Sequence, residues 1–582
     1  MSNESPSVRE SEAIGEVLSG ASTLGALCDL YAEHETEVSA GMFLVIKDSR
    51  RRGLKFLARV ADVSPKHAFY RPGDAWSGAR RARIQLPSEI GTQYVTCALE
   101  IVAEIDENGK LRPPTSAPFP GSEVIRPSSK ELFSYFAPDE QEAVALFAGM
   151  KEYSNVPIPL LVNNIPMHIG VFGVTGSGKS FTVGVLIEAF SKFKYRANGE
   201  EVELSYPMLI IDPHGDYREY GQREGWDAGI RGKLYGLPGS DRRIFEHVHI
   251  DLSELDIDTL AEMIVSFYSG LEVPPPIQVW GAKLAIELTC RELHGLRRPD
   301  NRLFTNDSIY QDLQDVVHEL SKASEKRSME ELSKVRARLH PQTVDAIVRA
   351  FDKFRGAVRA DEPTKCLLGR GRWAERIDRL IRRGEVAVIE LSPEGAPGVD
   401  ITVKQLFVGY LAYVLFRQFY EYKMRAVREG EEDRFLLFIL EEAQNYCPNM
   451  SLYAIGAPHF SKKYISTIAT QGRKFGLSLL LITQRPAFVD TAVLSQFNTF
   501  FIHRIAPHDI SYVCTVTGGL PKSIEARLST LDRGEVVISG VMLPTFFPLV
   551  AKVEKEHRRV EHRAGKVNPA KSLLLIQRQE QN

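Results

Sequence analysis

The 582-residue chain lacks the features of membrane and secreted proteins. No apolar run reaches about 18 residues, so no membrane-spanning helix is expected. The first ten residues, MSNESPSVRE, are polar and contain no apolar segment of the kind found in secretory signals. These two absences predict a cytoplasmic protein without a membrane partner.

Paired cysteines and an excess of positive charge are also missing. The six cysteines form no C-x-x-C pair, so neither a zinc site nor a disulfide framework is indicated. The formal net charge is -3. Because nucleic-acid-binding proteins are often basic overall, this balance neither favours nor excludes DNA as a partner. Any basic surface has to be local, for example inside a pore.

One stretch carries a specific chemical pattern. GVTGSGKS, from Gly173 to Ser180, matches G-x-x-x-x-G-K-[ST] at every fixed position, between the strand-like run MHIGVF and the helical pattern FTVGVLIEAFSKF. In that order the backbone N–H groups and the helix N-terminus can hold phosphates. The motif predicts ATP and Mg²⁺ as cofactors, with Lys179 on the β- and γ-phosphates and Ser180 on the metal. The alternative is a glycine-rich turn that binds nothing.

The whole loop and the residue after it are candidates for nucleotide contact. They are Gly173, Val174, Thr175, Gly176, Ser177, Gly178, Lys179, Ser180 and Phe181.

Polar residues follow three other strand-like runs. FLLFIL ends in Glu441, predicted to orient Mg²⁺ through its water shell, and Glu442, predicted to polarise the attacking water. The alternative is a solvated acidic pair that starts a helix. Gln484, after LSLLLIT, is a candidate γ-phosphate sensor or a simple strand end. Asp212 and Asp216, in IIDPHGDY, either reach the metal's water shell or build a turn.

Basic residues supply candidates for two further roles. Arg473, in QGRKFG, is the first candidate for an arginine that acts on a neighbouring subunit's nucleotide. Surface ion pairing is the alternative. The other candidates for the role of Arg473 are Lys474, Arg485 and Arg504. Lys462 and Lys463 are candidates for contact with DNA phosphates, against the alternative of two solvated lysines, with Arg218 and Arg223 held in reserve.

The order of patterns along the chain predicts four parts. Residues 1–12 are expected to be disordered, and residues 13–126 to form a small all-β barrel for assembly or docking. Residues 127–552 are expected to form an α/β core with a mostly parallel sheet and a helical insertion at about 257–382. Within it, a helix is expected over 130–151 and a strand near 244–255. The extension 553–582 carries an apolar patch at residues 573–576, expected to attach to a neighbouring subunit.

The ordered set DPHGDY, EEAQN, GRKFG and TQRP resembles the HerA family of the HerA/FtsK superfamily, and LDRGEVVISG near the end is similar to it as well. The resemblance covers nearly the whole chain and implies a RecA-like P-loop ATPase core behind an N-terminal barrel. It also implies a ring, usually a homo-hexamer, with double-stranded DNA in its central pore. A separate NurA-type nuclease, or another effector in antiphage systems, is the implied partner.

Three functions remain open at this point. The first is a DNA-translocating motor, in DNA end processing or antiphage defence. The second is an ATP-dependent scaffold that assembles or activates an effector, which the slightly negative charge weakly favours. The third is a coupling ATPase for conjugation or secretion, which the missing membrane segment disfavours.

Overall fold

The structure, a computed structural model, describes residues 12–67, 70, 73, 76–84, 93–197, 199–222, 231–271, 273–322, 339–359 and 365–560. A closed β-barrel precedes an α/β unit built on one large sheet, so the predicted fold class is confirmed. No helix in the described ranges combines the length and the apolarity needed to cross a membrane. Residues 1–11, Arg223 and the patch at 573–576 lie outside these ranges.

Six strands close the barrel in the order β2-β1-β7-β3-β4-β5, and β5 pairs again with β2. Alternating apolar side chains, as in GALCDL, point into its core. The proline-rich segment 113–122 is a loop that leads to β7, which lies between β1 and β3. The elements are β1 (Ala13–Val17), β2 (Gly25–Leu30), β3 (Phe43–Lys47), β4 (Lys55–His67), α1 (Ser77–Arg81), β5 (Gln93–Ile105), β6 (Leu111–Arg112) and β7 (Glu123–Ile125).

Only the first third of the helix expected over residues 130–151 is present. Helix α2 (Ser129–Phe136) begins where the Ser128 hydroxyl accepts a hydrogen bond from the Glu131 N–H, at 3.1 Å. It ends before Pro138, because a residue that precedes proline avoids helical geometry. The rest is strand β8 (Val144–Met150), followed by β9 (Tyr153–Leu161).

The large sheet has the order β12-β11-β8-β21-β20-β19-β10-β18-β17-β13-β16-β14-β15, with β9 paired to β8. Its strands are β10 (Ile169–Phe172), β11 (Phe193–Ala197), β12 (Glu200–Leu204), β13 (Met208–Asp212), β14 (Gly232–Gly236), β15 (Glu246–His247), β16 (Val386–Glu390), β17 (Leu436–Leu440), β18 (Leu477–Thr483), β19 (Thr499–Ile502), β20 (Glu535–Gly540) and β21 (Leu549–Lys552).

The half of the sheet from β19 to β15 is parallel, and its strands are buried on both faces. The other half is antiparallel, and the sequence patterns did not reveal it. The strand expected near residues 244–255 is reduced to the two residues of β15, and β14 occupies the neighbouring position. Polar residues alternate through HVHIDLSE, which leaves too few apolar side chains for a central strand.

Helices cover both faces of the sheet, and the insertion between β15 and β16 is helical as expected. The helices that follow α2 are α3 (Lys179–Ser191), α4 (Arg218–Gly221), α5 (Ile257–Ser269), α6 (Pro276–Leu288), α7 (Arg302–Thr305), α8 (Asp307–Lys322), α9 (Pro341–Val358), α10 (Trp373–Arg383), α11 (Ile401–Glu429), α12 (His459–Gln471), α13 (Thr491–Leu494), α14 (Pro507–Val516) and α15 (Lys522–Glu525).

The strand order places the predicted site residues at one edge of the sheet. Strand β10 lies between β18 and β19, and β17 and β13 follow β18. Because the five strands are parallel, the segments that follow them meet at their carboxyl ends. These segments are the glycine loop, the acidic pair, Gln484 and the turn after Asp212.

Candidate nucleotide-binding site

The glycine loop is held in place by backbone hydrogen bonds with two later segments of the chain. The Val174 N–H donates to the Arg504 carbonyl at 2.9 Å, and the Gly534 N–H donates to the Ser177 carbonyl at 3.0 Å. Gly178 has a φ of 110°, and a Cβ there would lie 3.3 Å from the Gly534 nitrogen. Glycine at this position therefore permits both the left-handed turn and the close backing.

Lys179 lies at the first turn of α3 and reaches back across the loop. Its Nζ donates to the Val174 carbonyl at 3.1 Å. Burial lowers the pKa of this amine, and the nearby carboxylates of Glu442, Glu441 and Asp216 oppose that shift. A buried ammonium group with a single carbonyl partner has donor capacity left for an anion in the loop.

Ser180 and Glu441 form the candidate cation site. The Ser180 hydroxyl donates to Glu441 Oε1 at 3.2 Å. Burial, with Asp212 and Asp216 close by, raises the pKa of Glu441 to about 8. The buried Oε2 of Glu441 has no hydrogen-bond partner among the described residues. A hydroxyl and an unpartnered carboxylate oxygen are hard oxygen donors, so the residues present fit Mg²⁺.

Glu442 is held in place by side chains from two other segments and by Gln444 of its own turn. Its backbone φ of 52° turns it out of the strand direction. Gln484 Nε2 donates to its Oε1 at 2.6 Å, Gln444 donates to its Oε2, and the His214 ring lies 3.8 Å from its Oε1. Burial alone would raise the pKa of Glu442, but the nearby His214 ring and the hydrogen bonds from Gln444 and Gln484 lower it below its usual value. Glu442 is therefore an ionised carboxylate in a fixed orientation, and its role as a base remains a prediction.

Gln484 connects the acidic pair with the glycine loop. Its Oε1 accepts a hydrogen bond from the Thr175 hydroxyl at 2.5 Å while its amide nitrogen holds Glu442. Thr483, one residue earlier, donates to Gln444 Oε1 at 2.8 Å. This network gives Gln484 the position expected of a group that responds to the occupant of the loop.

Asp212 builds the turn that carries His214. Its carboxylate accepts four backbone N–H groups, from residues 214 to 217, at 2.8 to 3.1 Å. Burial raises its pKa to about 6. The turn is tied to the neighbouring strand because Arg218 donates from Nε to Glu390 at 2.7 Å. Asp212 therefore stabilises the turn of residues 213–217. Asp216 lies near enough to Glu441 to raise the pKa of that carboxyl.

The candidate arginines lie at different distances from this edge. Arg473 and Lys474 are exposed in a 3₁₀ turn that precedes β18, so a strand of seven residues, roughly 20 Å, separates them from the chain's own site. Arg485 packs over the Phe488 ring and faces Asp509 at 3.3 Å. Arg504 is exposed beside the glycine loop.

The lysines expected to meet DNA are engaged in ion pairs. Lys462 Nζ lies 2.9 Å from Asp490, and Lys463 Nζ lies 2.5 Å from Glu262. Arg218, one of the reserve candidates, is bound to Glu390 and Glu394. Any phosphate contact by these side chains has to displace an acidic partner.

Several site residues were missed by sequence reasoning. His214 and Gln444 hold Glu442, and Gly534 backs the glycine loop. All three lie in motifs quoted above, but no spacing rule assigned them a role.

The described end of the C-terminal extension packs on its own chain, since Glu188 of α3 accepts hydrogen bonds from the N–H groups of Arg559 and Val560, at 2.8 and 3.1 Å.

Comparison with known proteins places the site in context. Residues 147–414 match the family model described as the central domain of helicase HerA. The chain is 26% identical over 478 residues to the DNA double-strand break repair helicase HerA of Pyrococcus furiosus, covering 77% of this chain and 76% of that protein. It is 23% identical over 466 residues to the protein of the same name from Sulfolobus acidocaldarius, covering 79% and 78%.

Solved structures show more distant similarity. The bacterial conjugative coupling protein TrwB is 14% identical with a TM-score of 0.46, covering 76% of this chain and 94% of that one. VirB4 of Thermoanaerobacter pseudethanolicus is 15% identical with a TM-score of 0.43, covering 72% and 98%.

Proposed function

We propose that this chain, which belongs to the HerA family of P-loop ATPases, is a cytoplasmic motor that translocates on double-stranded DNA. The chain is an ATP-hydrolysing enzyme. One observation carries the proposal. Lys179, Ser180, Glu441, Glu442 and Gln484 converge at one sheet edge, in a chain similar over three quarters of its length to helicases of DNA double-strand break repair.

The geometry supports the following division of work. The loop amides and Lys179 bind the phosphates of ATP, and Ser180 and Glu441 hold Mg²⁺, which neutralises phosphate charge when bound. Glu442 orients a water molecule and accepts its proton as the water oxygen attacks the γ-phosphorus and the bond to ADP breaks. Gln484 positions Glu442 through its amide nitrogen.

The subunit arrangement proposed is a ring, a homo-hexamer, with duplex DNA in its central pore. Arg473 supports it, because this arginine is exposed at the edge opposite to its own site and is available to a neighbour's nucleotide. Within this proposal a separate nuclease of the NurA type, or another effector protein, acts on the DNA.

A second candidate function is an ATP-dependent scaffold that assembles or activates an effector in an antiphage complex. The ion pairs of Lys462 and Lys463 favour it, since they occupy the lysines expected to bind DNA. Long duplex DNA separates the two functions. A motor is expected to show strong stimulation of ATP turnover by DNA in particles of ring mass. Turnover and ring mass without any response to DNA would favour the scaffold.

The proposed DNA contact is tested with Lys462→Glu/Lys463→Glu. Because phosphate contacts depend on charge and not on sequence, duplex DNA affinity and its salt dependence are expected to fall together. The control is Lys110→Glu/Lys194→Glu, which reverses two ion-paired lysines on exposed turns and hairpins. Equal affinity of the two double variants would move the DNA contact elsewhere.

Arg473 is tested in mixed rings. Arg473→Ala is expected to retain ATP binding and to lose about 1,000-fold in turnover, as for other arginines that act on a neighbour's nucleotide. Mixing it with Lys179→Ala subunits is expected to restore part of the activity, since some interfaces then combine two intact halves. No recovery, with subunit exchange shown by mass, would contradict action across the interface.

A further inference from the structure

Exposed apolar side chains lie on the elements next to the turn that carries Arg473. Tyr420 of α11 is 47% exposed, and Phe435, which precedes β17, is 42% exposed. Phe475 joins them, because its ring meets that of Tyr420 edge to face at 5.6 Å, and a Cβ on Gly476 would lie 3.3 Å from the Phe435 ring. We name Tyr420, Phe435, Phe475 and Arg473 the arginine face. It lies at the amino ends of the parallel strands.

A second exposed apolar pair lies at the nucleotide edge. The loop of residues 446–456 follows the acidic pair and presents Leu452 and Ile455, which are 58% and 45% exposed. The two ends of the loop are joined by the buried Gln405, whose Nε2 donates to the carbonyls of Asn445 and Ile455 at 2.6 and 2.8 Å. We name Leu452 and Ile455 the loop tip.

The loop that carries the loop tip is attached to the site through Tyr453. The Tyr453 ring stacks on Phe488 with a centroid distance of 5.1 Å, and its hydroxyl donates to Asn445 Oδ1 at 2.9 Å. A preformed apolar surface loses little conformational entropy when it is covered. Exposed apolar side chains grouped in this way mark contact surfaces.

The two surfaces are complementary in charge as well as in polarity. Arg473 and Lys474 are exposed and form no ion pair or side-chain hydrogen bond with any residue in the described ranges. The loop tip adjoins Glu441 and Glu442, and bound ATP adds further negative charge there. Because each chain carries the two surfaces at opposite sheet edges, a contact between copies is head to tail, which closes into a ring when the rotation permits.

We propose that the arginine face of one subunit docks on the loop tip of a second copy of this chain. Tyr420 and Phe435 pack against Leu452 and Ile455, and Arg473 thereby reaches the nucleotide of that copy. This inference rests on the proposed ring motor. It assigns the side chains that hold the ring together and bring the arginine into position.

The test uses Tyr420→Lys, Leu452→Glu and the double variant, with particle mass and ATP turnover measured together. Each single change places a charge in an apolar contact, so each is expected to lower the ring fraction by about 10-fold at a fixed subunit concentration. The double variant can form a Lys–Glu pair across the contact and is expected to regain ring mass and turnover.

The control is Val273→Glu, which charges a more exposed apolar residue, 73% exposed, in the helical insertion. It is expected to keep wild-type mass. Thermal melting monitors folding, since Tyr420→Lys also removes the edge-to-face contact with Phe475. Wild-type mass in either single variant, or no recovery in the double variant, would overturn the docking. The proposed function fails separately, when wild-type rings hydrolyse ATP without any response to duplex DNA.

Discussion

The interior of the barrel and the nucleotide edge of the sheet bury opposite kinds of side chain. The interior of the barrel consists of apolar residues. Where the barrel meets the α/β unit, the charged side chain of Arg59 is buried together with its partners. Arg59 donates to Glu100 at 2.8 Å and to the Pro548 carbonyl at 3.1 Å. The nucleotide edge buries Lys179, Asp212 and Glu441 within one small region. Burial without full compensation costs stability, so the edge is shaped by ligand binding and the barrel by folding.

The largest expected effect comes from the edge. Lys179→Ala removes the ammonium that serves the phosphates, and turnover is expected to fall on the order of 1,000-fold. The melting temperature should not fall, because a buried ammonium group with one carbonyl partner adds little to stability. Lys194→Ala, a change in an exposed ion pair, is the control. Measurable wild-type turnover in Lys179→Ala would remove Lys179 from the site.

Glu442→Gln tests the oriented base. The amide keeps the size of the side chain but cannot accept the proton of water, so turnover is expected to fall about 100-fold while ATP still binds. Nucleotide binding and phosphate release, measured separately, distinguish the two steps. Glu140→Gln changes an exposed carboxylate on the same chain and should leave both steps unchanged. If Glu442→Gln hydrolysed ATP at the wild-type rate, another group would be the base.

Arg59→Ala tests the barrel side of the comparison. It leaves Glu100 half-buried with Ser523 as its remaining donor, so the free energy of unfolding is expected to fall by about 1–3 kcal/mol. Arg112→Ala, in an exposed ion pair with Asp106, should cost less than about 1 kcal/mol. Denaturant titration measures both. If Arg59→Ala lost turnover under conditions in which it stays folded, the contact between the barrel and the α/β unit would influence the nucleotide site.

The smallest effect is a gain in stability. The folded protein raises the pKa of Glu441 from 4.5 to about 8, so the wild type loses stability as the pH rises through that window. Glu441→Gln cannot ionise and escapes this loss. Without nucleotide or divalent cation, its melting temperature should exceed that of the wild type by a few degrees at about pH 9 and should match it below about pH 4. A constant difference across the range would contradict a buried, proton-binding Glu441.

The parallel half of the sheet was predictable because its strands are continuous apolar runs, such as FLLFIL and LSLLLIT, that end in polar residues. The antiparallel half was not, since ALFAGM of β8 is also compatible with a helix and only pairing with β9 and β21 decides it. Local pattern does not report partners that are distant in sequence.

The candidate site divides in the same way. Gly173 to Ser180, Glu441 and Glu442 stand in spacings that carry their chemistry, so the sequence places them together. His214 and Gly534 act through contacts with other segments, and no local pattern reports such contacts. The pairing of Lys462 with Asp490 likewise depends on how α12 packs beside α13.

The contacts of Gly534 with the glycine loop and of Val560 with α3 have a consequence for synthesis on the ribosome. Strand β10, the loop and α3 emerge early, but the backbone that supports Ser177 and Glu188 is made only near the end of translation. A nascent or truncated chain therefore holds an incomplete phosphate cradle. A chain that stops before Gly534 is therefore expected to bind nucleotide less tightly than one that includes it.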